Sequence, residues 1–534
     1  MSNKQPPTLS IALIVRNAGR QLRDTLASVR GIADELVVLD TGSTDDTLQI
    51  AADCGATIHK QPWDDSFAAA RNACLELCTG DWVFWIDAGE RLSNESGEEL
   101  RRFVKSQADP TCAYLLPIAV PSDDQETHAS RAPATSFEQV FQFRLHPRRA
   151  GLQFANRVRE SLEAALATAG LSFVPLPIAI ERRTADRDPL TRTTKAQRNI
   201  RLADRSLAEQ GPSADMHNCL AEALQSLGDH LRAGHQYQRA IRLAPPGSRE
   251  QLEAYYGLLA CLDSAGPDRD AQLSLCMEAL DRFPLDAQLL VALGGYLQAL
   301  GQTPLAIRAY DVAFRHGQIE PRIPHLPNVP EIAAVCASTH MQLAGDTEAA
   351  LTLLEAAVRT YPLSLRIGRQ HVELLVKLGR RDEALAAARS LPLEDRAREA
   401  WAVAVRGACA AGQAQWVTAR AHLQLAYESG CHERFCLRLL VVSHLGLGEV
   451  AEATSVLNSW RRFDQDNPEL AKLAQAVAEQ QELSSNAHSE EPVVNNPVGG
   501  KSVVRIDQSA DKQPMLRVVS AANVAAKPGQ PSGR

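Results

Sequence analysis

The stretch Trp82-Val-Phe-Trp-Ile-Asp87-Ala-Gly-Glu90 decides the fold. Its first five residues are apolar or aromatic without alternation, which predicts a strand covered on both faces. The run ends on a carboxylate and then turns. An acid at the carboxyl end of such a strand points into the crevice where open α/β sheets hold ligands. An Asp that only caps the turn is the plainer alternative. The residues upstream bear on that choice. Leu9–Val15 and Glu35–Asp40 are two more short apolar runs, and the second also ends on an acid. Residues 21–29 carry Leu22, Leu26 and Val29 at helical spacing. Residues 41–46 read as a turn, with Ser43 or Thr44 capping a helix at Thr47–Asp53. A short strand near 56–59 and a helix over 66–78 precede Trp82. This alternation predicts a mostly parallel sheet with helices on both faces, and Asp40 and Asp87 converging on one crevice.

Composition narrows the class. A chain of 534 residues exceeds one core, so two or three domains are expected. A net charge of -8 argues against a nucleic-acid or membrane-surface binder. Eleven scattered cysteines with no C-x-x-C pair suit a reducing compartment. The N-terminus has no apolar signal core, and no apolar run is long enough to span a bilayer. A cytoplasmic protein without a transmembrane segment is expected. G-x-G-x-x-G and G-x-x-x-x-G-K-[ST] are both missing after the first strand, which lowers a Rossmann dehydrogenase and a P-loop NTPase.

Five motifs occur in order: Ile14-Val-Arg-Asn17, Asp40-Thr-Gly-Ser-Thr-Asp-Asp-Thr47, Trp63-Asp-Asp-Ser-Phe67, Ala70-Arg-Asn72 and Gly80-Asp-Trp-Val-Phe-Trp-Ile-Asp-Ala-Gly-Glu90. Together they resemble the family 2 glycosyltransferases, strongly over residues 8–95 and more weakly to about 185. The resemblance implies a GT-A-like α/β nucleotide-diphospho-sugar transferase domain. It also implies a donor pocket in which Asp40 accepts from the base, Arg71 lies beside it, and Val15, Asn17 and Gly42 border it. Arg71 as a structural partner of Asp40, and Asn17 as a helix cap, are the structural alternatives. Asp87 stands at the first position of the family's D-x-D, which reaches the ribose and a divalent metal such as Mn or Mg.

Two departures stand out. Gly89 replaces the second acid of D-x-D, leaving Asp87 and Glu90 as the metal candidates. In the later segment Phe154-Ala-Asn-Arg-Val-Arg-Glu160, Arg159 stands where the family has His. Arginines abound nearby, at 144, 148, 149, 157 and 159, and a guanidinium can bind phosphate oxygens bidentately. Arg159 is therefore the candidate diphosphate stabiliser in place of the cation. A solvated basic face on an inactive domain is the other reading. Family members generally invert, which needs a carboxylate to take the acceptor proton. Glu160 is the candidate base, with Asp123, Asp124 and Glu138 as rivals; residues 159–167 look helical.

From about Thr191 the pattern changes to Ala/Leu-rich helices with a period of about 34 residues, the tetratricopeptide (TPR) signature. Leu220, Ala221, Leu224, Gly228, Ala233, Tyr237, Ala240 and Pro245 form the clearest copy. Leu293 to Ala313 and Gly345 to Pro362 carry two others, with weaker copies around 279–284, 379–388 and 448–457. Such hairpins stack into a solenoid. Residues 321–330 hold four prolines and read as a loop between two solenoid segments. Cys219, Cys261 and Cys276 read as core. The expected organisation is a transferase domain over 1–187, an all-α TPR domain over 188–482 and a disordered tail over 483–534. The expected function is sugar transfer from a nucleotide-diphospho-sugar, with the repeats recruiting a protein or peptide partner. A catalytically degenerate TPR scaffold is the competing reading.

Overall fold

The computed structural model describes residues 6–121, 137–182, 189–266, 268–325, 328–462, 464 and 467–489. The chain begins with strand β1 (Leu9–Val15), helix α1 (Gly19–Val29), β2 (Glu35–Asp40), α2 (Thr47–Asp53), β3 (Thr57–Lys60), α3 (Phe67–Leu77) and β4 (Trp82–Trp85). There follow β5 (Glu90–Arg91), α4 (Asn94–Ser106), β6 (Cys112–Pro121), β7 (Phe137–Pro147), α5 (Glu163–Thr168), β8 (Ser172–Pro175) and β9 (Ile180–Arg182). Among the described residues these strands form one nine-stranded sheet, ordered β3-β2-β1-β4-β7-β6-β9-β5, with β8 also on β6.

The first four strands in that order run parallel. Alternation along β1 explains how both faces are covered. Leu9, Ile11, Leu13 and Val15 pack with Leu22, Leu26 and Val29 of α1 on one face. On the other face Ala12, with Leu39 and Trp85, packs against Ala70, Cys74 and Leu75 of α3. Beyond β4 the sheet becomes mixed: β7 enters antiparallel beside β4 and β6 antiparallel beside β7, while β8 and β9 run parallel to β6. Only Leu145 to Pro147 pair with β4, so the first half of β7 projects past the carboxyl end of β4.

The strand around Trp82 stops at Trp85, two residues short of Asp87. No helix starts at Arg159, whose φ of +54° lies in the left-handed region; α5 begins at Glu163. Neither Ser43 nor Thr44 caps α2; its N-cap is Asp46, without a side-chain cap bond.

The remainder is helical. After α6 (Pro189–Gln210) come hairpins α7–α8 (Ala214–Ser226, His230–Leu243), α9–α10 (Arg249–Ala265, Arg269–Arg282) and α11–α12 (Ala287–Ala299, Thr303–His316). They continue as α13–α14 (Val329–Leu343, Thr347–Thr360), α15–α16 (Leu365–Lys377, Arg381–Arg389), α17–α18 (Asp395–Gly412, Trp416–Glu428) and α19–α20 (Arg434–Gly446, Val450–Arg461), then α21 (Pro468–Ser489). Several hairpins turn on a glycine at positive φ: Gly228, Gly301, Gly345, Gly379 and Gly448. A left-handed residue is the usual way to end a helix, and glycine adopts it without a Cβ penalty. Ala221, Leu224, Ala233, Tyr237 and Ala240 share a core with Ala254 and Leu258 of the next hairpin, so each hairpin completes its neighbour. Cys219, Cys261 and Cys276 are buried in these helices.

The proline-rich segment between α12 and α13 does more than connect. Gln139 and His325 exchange backbone hydrogen bonds of 2.8 and 2.9 Å, and Phe141 N donates to Pro321 O at 2.7 Å. The solenoid thereby pairs with the projecting half of β7. Helix α21 continues past residue 483, where the sequence suggested the tail begins. Residues 490–534 lie outside the described residues. Among the described residues no helix is long and apolar enough to cross a membrane.

Candidate active site

The chain passes from β1 outward to β2 and β3, then returns to place β4 on the other side of β1. A crevice opens at such a reversal, at the carboxyl ends of the strands. Two groups of residues gather there, roughly 10 Å apart because β1 separates β2 from β4.

The first group lies at the ends of β1 and β2. Val15 and Asp40 are register partners. The Asp40 carboxylate is 3% exposed and accepts from Gly42 N and Ser43 N at 3.1 Å. Gly42 has φ +109°, which lets the chain fold back over that carboxylate. Asn17, at φ +49°, ties the two loops together. Its backbone N–H donates to Ser43 Oγ at 2.9 Å, and its Oδ1 accepts from Thr44 N at 2.8 Å. Asn17 is not the cap of α1, whose N-cap is Ala18.

The second group is a chain of alternating charges. Arg182 Nη2 donates to Glu90 Oε1 at 2.8 Å, and Arg144 Nη2 donates to the same oxygen at 2.9 Å. Arg144 Nη2 also reaches Asp87 Oδ2 at 3.2 Å. Arg71 Nη2 donates to Asp87 Oδ1 at 2.9 Å, and Arg71 Nε donates to Glu160 Oε1 at 2.6 Å. Arg71 does not pair with Asp40; it bridges Asp87 and Glu160. Helix α3 sets this up: Ser66 caps it by accepting from Ala69 N, which fixes the face that carries Arg71. The Arg71 guanidinium stacks 5.2 Å from the Trp85 ring and 5.5 Å from Phe154. Trp85 is held in turn by Nε1–H donating to His146 Nε2 at 3.1 Å. Burial pushes the His146 imidazole down to about 4, so it stays neutral and accepts that bond.

Burial alone would raise the Asp87 carboxyl. The charges of Arg71, Arg144 and Arg182 outweigh it and hold Asp87 well below the usual carboxylate range. For Arg71 burial disfavours the cation, but Asp87 and Glu160 more than offset this and keep it charged.

The five arginines near the later segment have separate roles. Arg144 alone of them is seen to reach Asp87. Arg148 donates to Gly80 O, Arg149 to Ala169 O and Pro110 O, and Arg157 to Glu209. Arg159 turns away from the crevice and pairs with Glu253 and with Asp215 at 3.4 Å. Arg159, the expected diphosphate stabiliser, thus directs its guanidinium to acids of α7 and α9 and not to Asp87. Asp123 and Asp124, and the side chain of Glu138, lie outside the described residues.

The sequence of residues 10–159 matches the description Glycosyl transferase family 2. A TPR repeat-containing protein of Synechococcus elongatus is 30% identical over 286 residues, covering 52% of this chain and 67% of that protein. The chain belongs with the TPR repeat-containing proteins and carries a family 2 glycosyltransferase domain at its N-terminal end. An uncharacterized glycosyltransferase of Rickettsia felis is 29% identical over 134 residues, 25% of this chain and 47% of that one. The chain thus spans about half the length of that second relative. Among solved structures, a tetratricopeptide repeat protein from Parabacteroides merdae is 14% identical and superposes with a TM-score of 0.37, covering 50% of this chain and 98% of that one.

A divalent cation is common in GT-A-like glycosyltransferases, and the residues here do not fit one. Position 89 is glycine at φ +96°. Both Asp87 oxygens meet guanidiniums. Glu90 is 1% exposed; Oε1 faces Arg144 and Arg182, and Oε2 accepts from Asp87 N at 2.9 Å. Among the described residues no group of three or more His, Cys, Asp or Glu is placed to hold a metal. Glu90, the other metal candidate, is the buried counter-ion of Arg144 and Arg182. Sequence reasoning named Arg144 only as one of several nearby cations and missed Arg182. An arginine alternating with apolar residues along a strand carries a signal, because a buried arginine demands an acid.

Proposed function

We propose that this chain moves a glycosyl group from a nucleotide-diphospho-sugar to an acceptor, with inversion, and that its TPR repeats recruit the acceptor or a protein partner. The observation that carries the reading is Asp87 held between Arg71 and Arg144 at the sheet reversal, with Glu160 on the far side of Arg71. In this reading Val15, Asn17, Asp40 and Gly42 border the base and Asp87 meets the ribose. The leaving diphosphate needs a compensating charge. Arg71 and Arg144 supply it, in the place first expected for Arg159. Glu160 takes the acceptor hydroxyl proton as the acceptor oxygen attacks the anomeric carbon and the sugar–phosphate bond breaks.

A second reading, a degenerate binding module, draws on the same geometry: each guanidinium near Asp87 already has carboxylate partners. One experiment separates the two. UDP, GDP and dTDP are titrated calorimetrically into wild-type protein and Asp40→Asn, with Mn²⁺ and with EDTA. Base-selective binding, weakened in the variant and indifferent to Mn²⁺, is expected, together with release of the diphosphate from the matching sugar nucleotide. Binding without release favours the module; no binding refutes the donor pocket.

A further inference from the structure

We infer that the solenoid is a working part of the active site: α6, α7 and α9 grip the loop 154–161 and, through Arg159, hold Glu160 against Arg71. The inference rests on the reading of Glu160 as proton acceptor.

Arg159 and Glu160 are neighbours whose side chains part in opposite directions. Glu160 meets Arg71 in the crevice, while Arg159 crosses to Glu253 of α9 and Asp215 of α7. The loop that carries them is pinned at nearly every residue. Phe154 exchanges two bonds with the Asn72 side chain, at 2.7 and 3.0 Å. Ala155 and Ser161 exchange backbone bonds of 2.9 and 3.1 Å, closing the loop. Phe67 N donates to Arg157 O at 2.8 Å, and the Arg157 guanidinium pairs with Glu209 of α6. Val158 packs with Leu202 of α6 and with Met216 and Leu220 of α7. Asn156 sits at φ +73°, which asparagine tolerates, and Arg159 at +54°, a conformation that neighbouring structure must enforce. The transferase side supplies Asn72, Phe67 and Arg71, the loop closes on itself through Ala155 and Ser161, and the solenoid holds Arg157, Val158 and Arg159. Asp65, in the Trp63–Phe67 motif, adds a strut of its own by pairing with Arg201 and Arg205 of α6. Opening the solenoid side frees the loop to relax, and Glu160 leaves its place.

The test uses the full chain. Hydrogen exchange of residues 154–161 is compared between wild type, Glu253→Gln and Glu253→Asp, alongside hydrolysis of UDP-N-acetylglucosamine, GDP-mannose and dTDP-glucose. In Glu253→Gln the loop is expected to exchange at least tenfold faster with β1 and β2 unchanged. The kcat for whichever donor is hydrolysed is expected to fall about tenfold at constant KM. Glu253→Asp should restore part of both. Unchanged loop exchange in Glu253→Gln overturns the inference. A Glu160→Gln variant that keeps wild-type turnover defeats the role given to Glu160, while the exchange data still decide whether the solenoid holds the loop.

Discussion

Replacing Arg71 with Met tests the alternating-charge chain directly. Arg71 is buried and joins two carboxylates, Asp87 and Glu160, whose side chains are 34% and 14% exposed. Methionine keeps much of the volume between Trp85 and Phe154 but no charge. Removing one partner of a buried ion pair costs about 3–5 kcal/mol, because the other charge stays behind uncompensated. Asp87 retains Arg144 and is one-third exposed, so the lower end, about 3 kcal/mol, is expected. For a compact unit spanning Met1–Gln481 that lowers the melting temperature by about 3 °C. The pH dependence fixes the cause. Asp87 titrates below its unfolded value, so its contribution is present above about pH 3.9 and lost as pH falls through the lower folded value. Urea unfolding of wild type and variant should therefore differ fully at pH 7, and the gap should shrink below about pH 4. Equal midpoints at pH 7, or a gap that does not change with pH, would refute the reasoning.

Two further expectations follow from the backbone. Gly89→Asp restores the second acid of D-x-D but puts a side chain at φ +96°, with its Cβ about 3.2 Å from Gln21 Oε1. A loss of about 1–2 kcal/mol is expected, and no gain in Mn²⁺ affinity by titration, since Asp87 and Glu90 stay paired with arginines; tight Mn²⁺ binding would contradict the pairing. In the solenoid, Gly257→Ala should destabilise despite alanine's better helix propensity. The new Cβ would lie 2.1 Å from Cζ of Tyr237, a buried ring, and overpacking of that kind costs about 1–3 kcal/mol against a propensity gain of about 1. A higher melting temperature in that variant would show that the ring moves aside freely.

The sequence by itself determined what depends on local pattern. Short, mostly apolar runs marked β1, β2 and the start of β4, because a strand covered on both faces takes few polar side chains. Glycines recurring through the Ala/Leu-rich helices marked hairpin turns, because they supply the left-handed residue those turns use. The five ordered motifs marked the family. What the tertiary structure decided were pairings between residues far apart in the chain. The motifs placed Arg71 beside Asp40, and only the geometry of α3 against β4 gives it to Asp87 and Glu160. Arg159 occupies a family site position in sequence, yet its left-handed backbone turns the side chain out to Glu253, 94 residues away. The prolines of 321–325 read as a linker, yet the projecting half of β7 leaves backbone groups that this segment completes. Charges and strand edges choose partners by proximity in the folded chain, and periodicity along the sequence holds no record of that choice.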